Sequence, residues 1–145
     1  MKTRVLQDEI TETMAKWQRV EERAVAATGQ VMEQTANPLI RLIMEIIQRD
    51  SQMHSRVQAF VASSLSTEAV SLAPDELEKV SGLLTKHAAV EEQMLDGVEA
   101  LLSEVKGKKL LVQEYLLNYL VEDERKHCAL LAALDSIKKG LYPYG

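Results

Sequence analysis

Three breaks cut this chain, and the four stretches between them share one periodicity. Asn37-Pro38, the run from Ser63 to Ala73, and Gly107 separate four segments of about 24 to 34 residues, in which apolar side chains recur alternately three and four positions apart. The first segment spans about 3–36 and stops at Asn37-Pro38, where the asparagine can cap and the proline can open the next helix. The second spans about 38–62. Ser63-Ser64-Leu65-Ser66-Thr67 then reads as loop and begins a linker of about eleven residues. The third spans about 74–106, opening on Pro74 with Asp75 and Glu76 facing the positive end of the helix dipole, and closing at Gly107. The fourth spans about 109–139, with Lys138, Lys139 and Gly140 as its stop. At 1.5 Å per residue these are rods of roughly 36 to 50 Å. The expected fold class is all-α: an antiparallel four-helix bundle occupying residues 1–145 as a single domain.

Composition narrows what such a bundle can do. Aromatics are only 4% while Ala, Val, Leu, Ile and Met dominate, which favours helices over sheet. The net charge is −5, and the lysines and arginines are interspersed with acids, so no basic stripe exists for nucleic acid. Cys128 is the single cysteine, which excludes a disulfide framework or a tetrathiolate centre within the chain and fits a reducing, cytoplasmic compartment. No run approaches the ~20 apolar residues of a membrane span. A soluble protein is expected.

Each apolar stripe is interrupted near its middle. In the second segment the stripe is Ile43, Ile47, Asp50, His54, Val57 and Val61. In the third it is Leu77, Val80, Leu84, His87, Glu91, Met94, Val98, Leu101 and Val105. In the fourth it is Leu110, Gln113, Leu117, Leu120, Glu124, His127, Leu131 and Leu134, with Asp123 on the adjoining edge. In the first it is Leu6, Ile10, Met14, Trp17, Glu21, Ala24, Thr28 and Val31. The interruptions fall at one level, where a carboxylate alone would cost several kcal/mol. Glu21, Asp50, Glu91 and Glu124 bring up to four negative charges, and neutral imidazoles bring none, so the set cannot balance itself. Two divalent cations can balance it, and imidazole with carboxylate suits iron, manganese or zinc.

The candidate metal ligands are therefore Glu21, Asp50, His54, His87, Glu91, Glu124 and His127, with Asp123 as the alternate to Glu124. All three histidines of the chain lie on these stripes, each a turn from a carboxylate. The competing reading is a metal-free polar network that fixes helix register. Other acids, such as Asp8, Glu33 and Glu99, read as solvated charges. Met32, Met44, Met53 and Met94 read as core filler, Tyr115 and Tyr119 as packing, and Cys128 as a buried thiol.

Glu124-Arg125-Lys126-His127 is an ExxH pair within Asp123-Glu124-Arg125-Lys126-His127-Cys128-Ala129-Leu130-Leu131. It resembles the last helix of ferritin-like and rubrerythrin-like di-iron carboxylate proteins. Glu21-Glu22-Arg23-Ala24 is similar to the first-helix glutamate of that superfamily. The resemblance implies that Glu21 and Glu91 are single carboxylate ligands and that Glu124 and His127 form one carboxylate and histidine pair. The chain departs from the pattern twice. Its second helix has Asp50-Ser51-Gln52-Met53-His54 in place of ExxH, and its third carries an additional histidine in His87-Ala88-Ala89-Val90-Glu91. HxxxE also resembles hemerythrin, a family that uses five histidines where this chain has three. The connection between the second and third helices stays open between simple up-down and crossover, since about eleven residues span at most ~36 to 40 Å.

The resemblance further implies two iron ions and an oxidase or peroxidase acting on dioxygen or peroxide. With one cysteine, a built-in rubredoxin module is excluded, so the electron donor is external. The alternatives are an iron-handling ferroxidase or storage protein and a hemerythrin-like, non-catalytic oxygen- or metal-binding module. A homodimer is the assembly considered, and neither nucleic acid nor membrane is an expected partner.

Overall fold

A computed structural model describes residues 2–66 and 74–141, the side chains of 66, 74 and 135–141 excepted. Four helices account for nearly all of it: α1 (Thr3–Gln34), α2 (Pro38–Ser66), α3 (Pro74–Val105) and α4 (Leu111–Leu141). No strand occurs among the described residues. The chain is all-α, with the four helices expected. They form two compact units, each a helical hairpin, with a boundary between Val70 and Ser71. The connection between α2 and α3, through 67–73, lies outside the described residues.

The first hairpin turns where asparagine and proline predict it. Asn37 Oδ1 accepts the Leu39 and Ile40 backbone N–H groups at 3.0 and 3.1 Å, satisfying two donors that the first turn of α2 cannot satisfy internally. Thr35 is extended (φ −140°, ψ 142°), which ends α1 at Gln34, two residues before the expected stop. Arg41 reaches back from α2 to donate to the Met32 and Thr35 carbonyls, covering the open end of α1. Gln18 contacts Ser55, Glu21 contacts His54 and Val25 contacts Gln48. Positions rise on α1 as they fall on α2, so the two helices are antiparallel.

The second hairpin turns differently. Gly107 takes the left-handed conformation (φ 76°) that only glycine adopts freely, and the Lys106 and Lys108 N–H groups bond back to Leu102 and Val105 at 3.0 Å each. Lys109 is also left-handed (φ 61°), which an L side chain adopts at a cost. A helix cannot begin there, so α4 starts at Leu111, two residues past the expected Lys109. Glu91 opposite His127 and Glu99 opposite Arg125 show the same antiparallel sense.

Two further boundaries move. Ser63–Ser66 is helix rather than loop. Ser64 Oγ donates to the Val61 carbonyl at 2.7 Å, so the hydroxyl bonds into the helix that carries it instead of competing with the backbone. At the other end α4 passes Gly140, which keeps a helical backbone, and stops at Leu141. A helical glycine costs only about 1 kcal/mol relative to alanine, too little to force a stop.

Within a hairpin, one partner helix covers only one edge of a stripe. Trp17, Ile47, Val57, Met94, Leu101 and Leu120, all expected in the core, are between 41% and 54% exposed. Met53 is exposed as well, against its expected role as filler. Among the described residues the buried ones are instead mostly polar: Thr28 and Ser51 in the first hairpin, and Glu91, Glu124 and one hydrophobic, Val121, in the second.

Candidate metal centre

Two adjacent turns of α3 and two of α4 meet at mid-hairpin. Glu91 and His87 lie four apart on α3, and Asp123, Glu124 and His127 occupy one side of α4 at spacings of three and four. Helical geometry alone puts each histidine beside its carboxylates; antiparallel pairing then brings His127 opposite Glu91. Glu91, Glu124 and His127 each offer one ligand atom, all within 4.8 Å of one another. Two of the three, Glu91 and Glu124, are 8% and 7% exposed.

The distances define a short relay. Glu91 Oε1 is 3.0 Å from His87 Nε2, and Glu91 Oε2 is 3.3 Å from His127 Nδ1. Glu124 Oε2 stands 3.6 Å from the same Nδ1, and Asp123 Oδ2 is 3.6 Å from His127 Nε2 on the other edge of the ring. Glu124 Oε2 is buried and has no hydrogen-bond partner. Glu124 stands with Glu91 and His127 on one edge of the ring, and Asp123 addresses the opposite ring nitrogen.

The two buried carboxyls titrate in opposite directions. Glu91 is held below the ordinary carboxylate value, first by the hydrogen bond from the Glu124 carboxyl, against the cost of burial, and further by His127 and His87. Glu124 is pushed above it, first by that hydrogen bond to Glu91, then by burial and by the Glu91 charge. Cys128, next along α4, has its thiol pushed up by burial and then by Glu91 and Glu92.

The other expected ligands lie in the first hairpin. Glu21 Oε1 is 3.3 Å from His54 Nδ1 and accepts from Gln58 Nε2 at the same distance. Glu21 is largely buried and His54 is 61% exposed at its side chain. Asp50 is half-buried on α2, one turn before His54. The sequence reading passed over Gln58, although it lies four residues past His54 on the same face of α2 and so was open to detection. Glu91, Glu124 and His127 are the one group of three or more potential ligands so gathered among the described residues.

The class defined so far is an all-helical protein with a buried carboxylate and histidine cluster. Comparison with protein families, with curated proteins and with solved structures finds no match.

Among the described residues no helix is long and apolar enough to cross a membrane.

Proposed function

We propose that the α3–α4 hairpin binds iron and that the protein is a ferritin-like oxidoreductase, acting on dioxygen or peroxide with electrons from an external donor. The observation that carries the metal reading is Glu124 Oε2, a buried carboxyl oxygen without a partner, facing the nitrogen of His127 to which Glu91 is also directed. A buried group of this kind is costly unless something occupies the space it addresses. A divalent cation among Glu91, Glu124 and His127 fits the donor set, since two carboxylates neutralise it and an imidazole suits iron, manganese and zinc alike. Because Glu91 and burial favour the protonated form of Glu124, a cation would compete there with a proton.

Glu91 also supports a count of two. Its oxygens face different histidines, Oε1 toward His87 and Oε2 toward His127, so one carboxylate can serve a cation on each side. His87 is 58% exposed at its side chain, which leaves the second position open to solvent and to a small substrate. Bound iron would supply the electrons that dioxygen or peroxide accepts. The ferritin-like assignment rests on the ExxH of Glu124 and His127 together with the helical class.

Elemental analysis with an ultraviolet-visible spectrum after aerobic iron loading tests this reading. Two irons per chain and an absorption band of a coupled pair are expected, and anaerobically loaded ferrous protein is expected to consume peroxide faster than free iron. One zinc per chain, or no gain over free iron, overturns it.

A further inference from the structure

We propose that the side of α2 turned away from α1 is the contact of a two-fold homodimer, in which α2 packs antiparallel against α2 of a second copy of this chain. Hydrogen bonds join α1 to α2 at Gln48, the Ser55 carbonyl and Gln58. Ile46, Met53 and Phe60 each stand two residues from one of these three, about 200° round the helix. They therefore lie on the side away from α1. Water alone on that side calls for polar residues, yet it carries Leu42, Met53, Val57 and Phe60, which are 41%, 51%, 54% and 60% exposed. Met53, Val57 and Phe60 line a shallow groove there with Arg56 and Val61. A helix that keeps apolar residues on the side away from its neighbour is one that packs between two partners.

The spacing selects a second copy as that partner. In an antiparallel pair related by a two-fold axis, residue i meets residue j and j meets i, so facing positions keep a constant sum. With the axis level with residue 51, Leu42 faces Phe60 of the second copy, Ile46 faces the Arg56-Val57 edge, and Met53 lies across the aliphatic stem of Arg49. Each large side chain meets another, and every contact occurs twice. The charges follow the same register. Glu45 falls within one position of facing Arg56 of the second copy, on the same flank of the stripe, and Arg49 holds the Glu45 carboxylate on that flank at 2.7 Å. Apolar and charged positions symmetric about one midpoint are required of a self-pairing helix and of no other.

Sedimentation equilibrium of the whole chain without metal tests this, so the outcome is independent of the metal reading above. A dimer mass is expected. Phe60→Asp should raise the dissociation constant roughly thirtyfold or more, because it sets a charge against Leu42 of the second copy. Arg56→Glu should raise it about three- to tenfold, since two like-charge contacts then form. Glu45→Arg with Arg56→Glu should bring it back, the two charges having exchanged places. The exposed charge exchange decides the matter even if Phe60→Asp fails to fold. A monomer at every concentration overturns the dimer: if Phe60→Asp then also lowers the melting temperature, another part of the same chain covers the stripe, and if it does not, a different partner does. A dimer that Phe60→Asp leaves intact, with helix content unchanged by circular dichroism, uses another face and overturns the proposal as well. Failure of the exchanged pair to restore the dimer overturns the register.

Discussion

Where α1 meets α2, three glutamines and the exposed His54 surround a single carboxylate, Glu21; where α3 meets α4, two buried carboxyls share one imidazole. In the first hairpin Gln18 and Gln48 donate across to the Ser55 and Val25 carbonyls, Gln58 donates to Glu21, and buried Thr28 bonds back to its own helix at Ala24 and Val25. Neutral donors thus meet ready acceptors, and the hairpin is held in register largely by its own hydrogen bonds. Gln58 Oε1 is buried without a partner, but an amide oxygen carries no net charge. In the second hairpin the unpartnered atom belongs to a carboxyl beside another carboxyl. The same antiparallel frame leaves one interface nearly self-sufficient and the other in need of a proton or a cation.

The largest effect should separate the two interfaces outright. Glu124→Ala is expected to weaken the first metal-binding step by about a hundredfold or more, beyond what loss of an outer-shell partner costs. Glu21→Gln should leave that step unchanged, and competition against a chromophoric chelator measures both. Equal losses would erase the distinction drawn between the hairpins.

Next in size is the stabilisation by metal. At a free concentration a hundred times Kd, binding contributes about 2.7 kcal/mol. Amide exchange should slow across α3 and α4 and stay as it was across α1 and α2.

The pH dependence of the metal-free protein should follow the opposite shifts of Glu91 and Glu124. Glu124 is raised, so the folded state holds its proton more tightly than the unfolded one. The resulting stability is full below the ordinary carboxylate value and is lost as pH rises through the raised one. Glu91 is lowered, so its contribution is present above the ordinary value and lost as pH falls through the lowered one. The metal-free hairpin should therefore be most stable in mild acid, with Glu91 ionised and Glu124 protonated. Denaturant titrations across pH should show wild-type stability falling from mild acid to neutrality, and Glu124→Gln should flatten that fall.

The smallest effects lie in the turns. Asn37→Ala should cost about 1 kcal/mol by removing the cap of α2. Lys109→Gly should gain less than about 1 kcal/mol, because it relieves a left-handed side chain at some cost in chain entropy. Thermal unfolding of the two variants checks both signs.

Much of this was legible in the residues. Three-four periodicity with Asn37-Pro38, Pro74 and Gly107 is enough to place four helices, because caps and breakers act locally. HxxxE and ExxH are likewise local: spacing on one helix puts His87 beside Glu91 and His127 beside Glu124 whatever the remainder does. Less visible were features set by a neighbour or by one torsion. Ser64 looks like loop until its hydroxyl finds the Val61 carbonyl, and Lys109 looks helical until its φ turns positive. The stripes mark the faces that are able to be buried, but not how much of each a hairpin covers, which is why Trp17 and Met94 stay half exposed. Glu124 and Asp123 are adjacent in sequence, and only the direction each side chain takes toward His127 tells them apart.

Cys128 turns the charge of the cluster into something a simple reagent can read. It lines a groove of the second hairpin with Ala88, Glu92 and Leu131, and its thiol is pushed up first by burial and then by the charge of Glu91 and its acidic neighbours. A cation cancelling those charges lets the thiolate form more readily, so alkylation by iodoacetamide should quicken as metal fills the site. The only sulfhydryl in the protein is a reporter of occupancy, placed beside the cluster without being part of it.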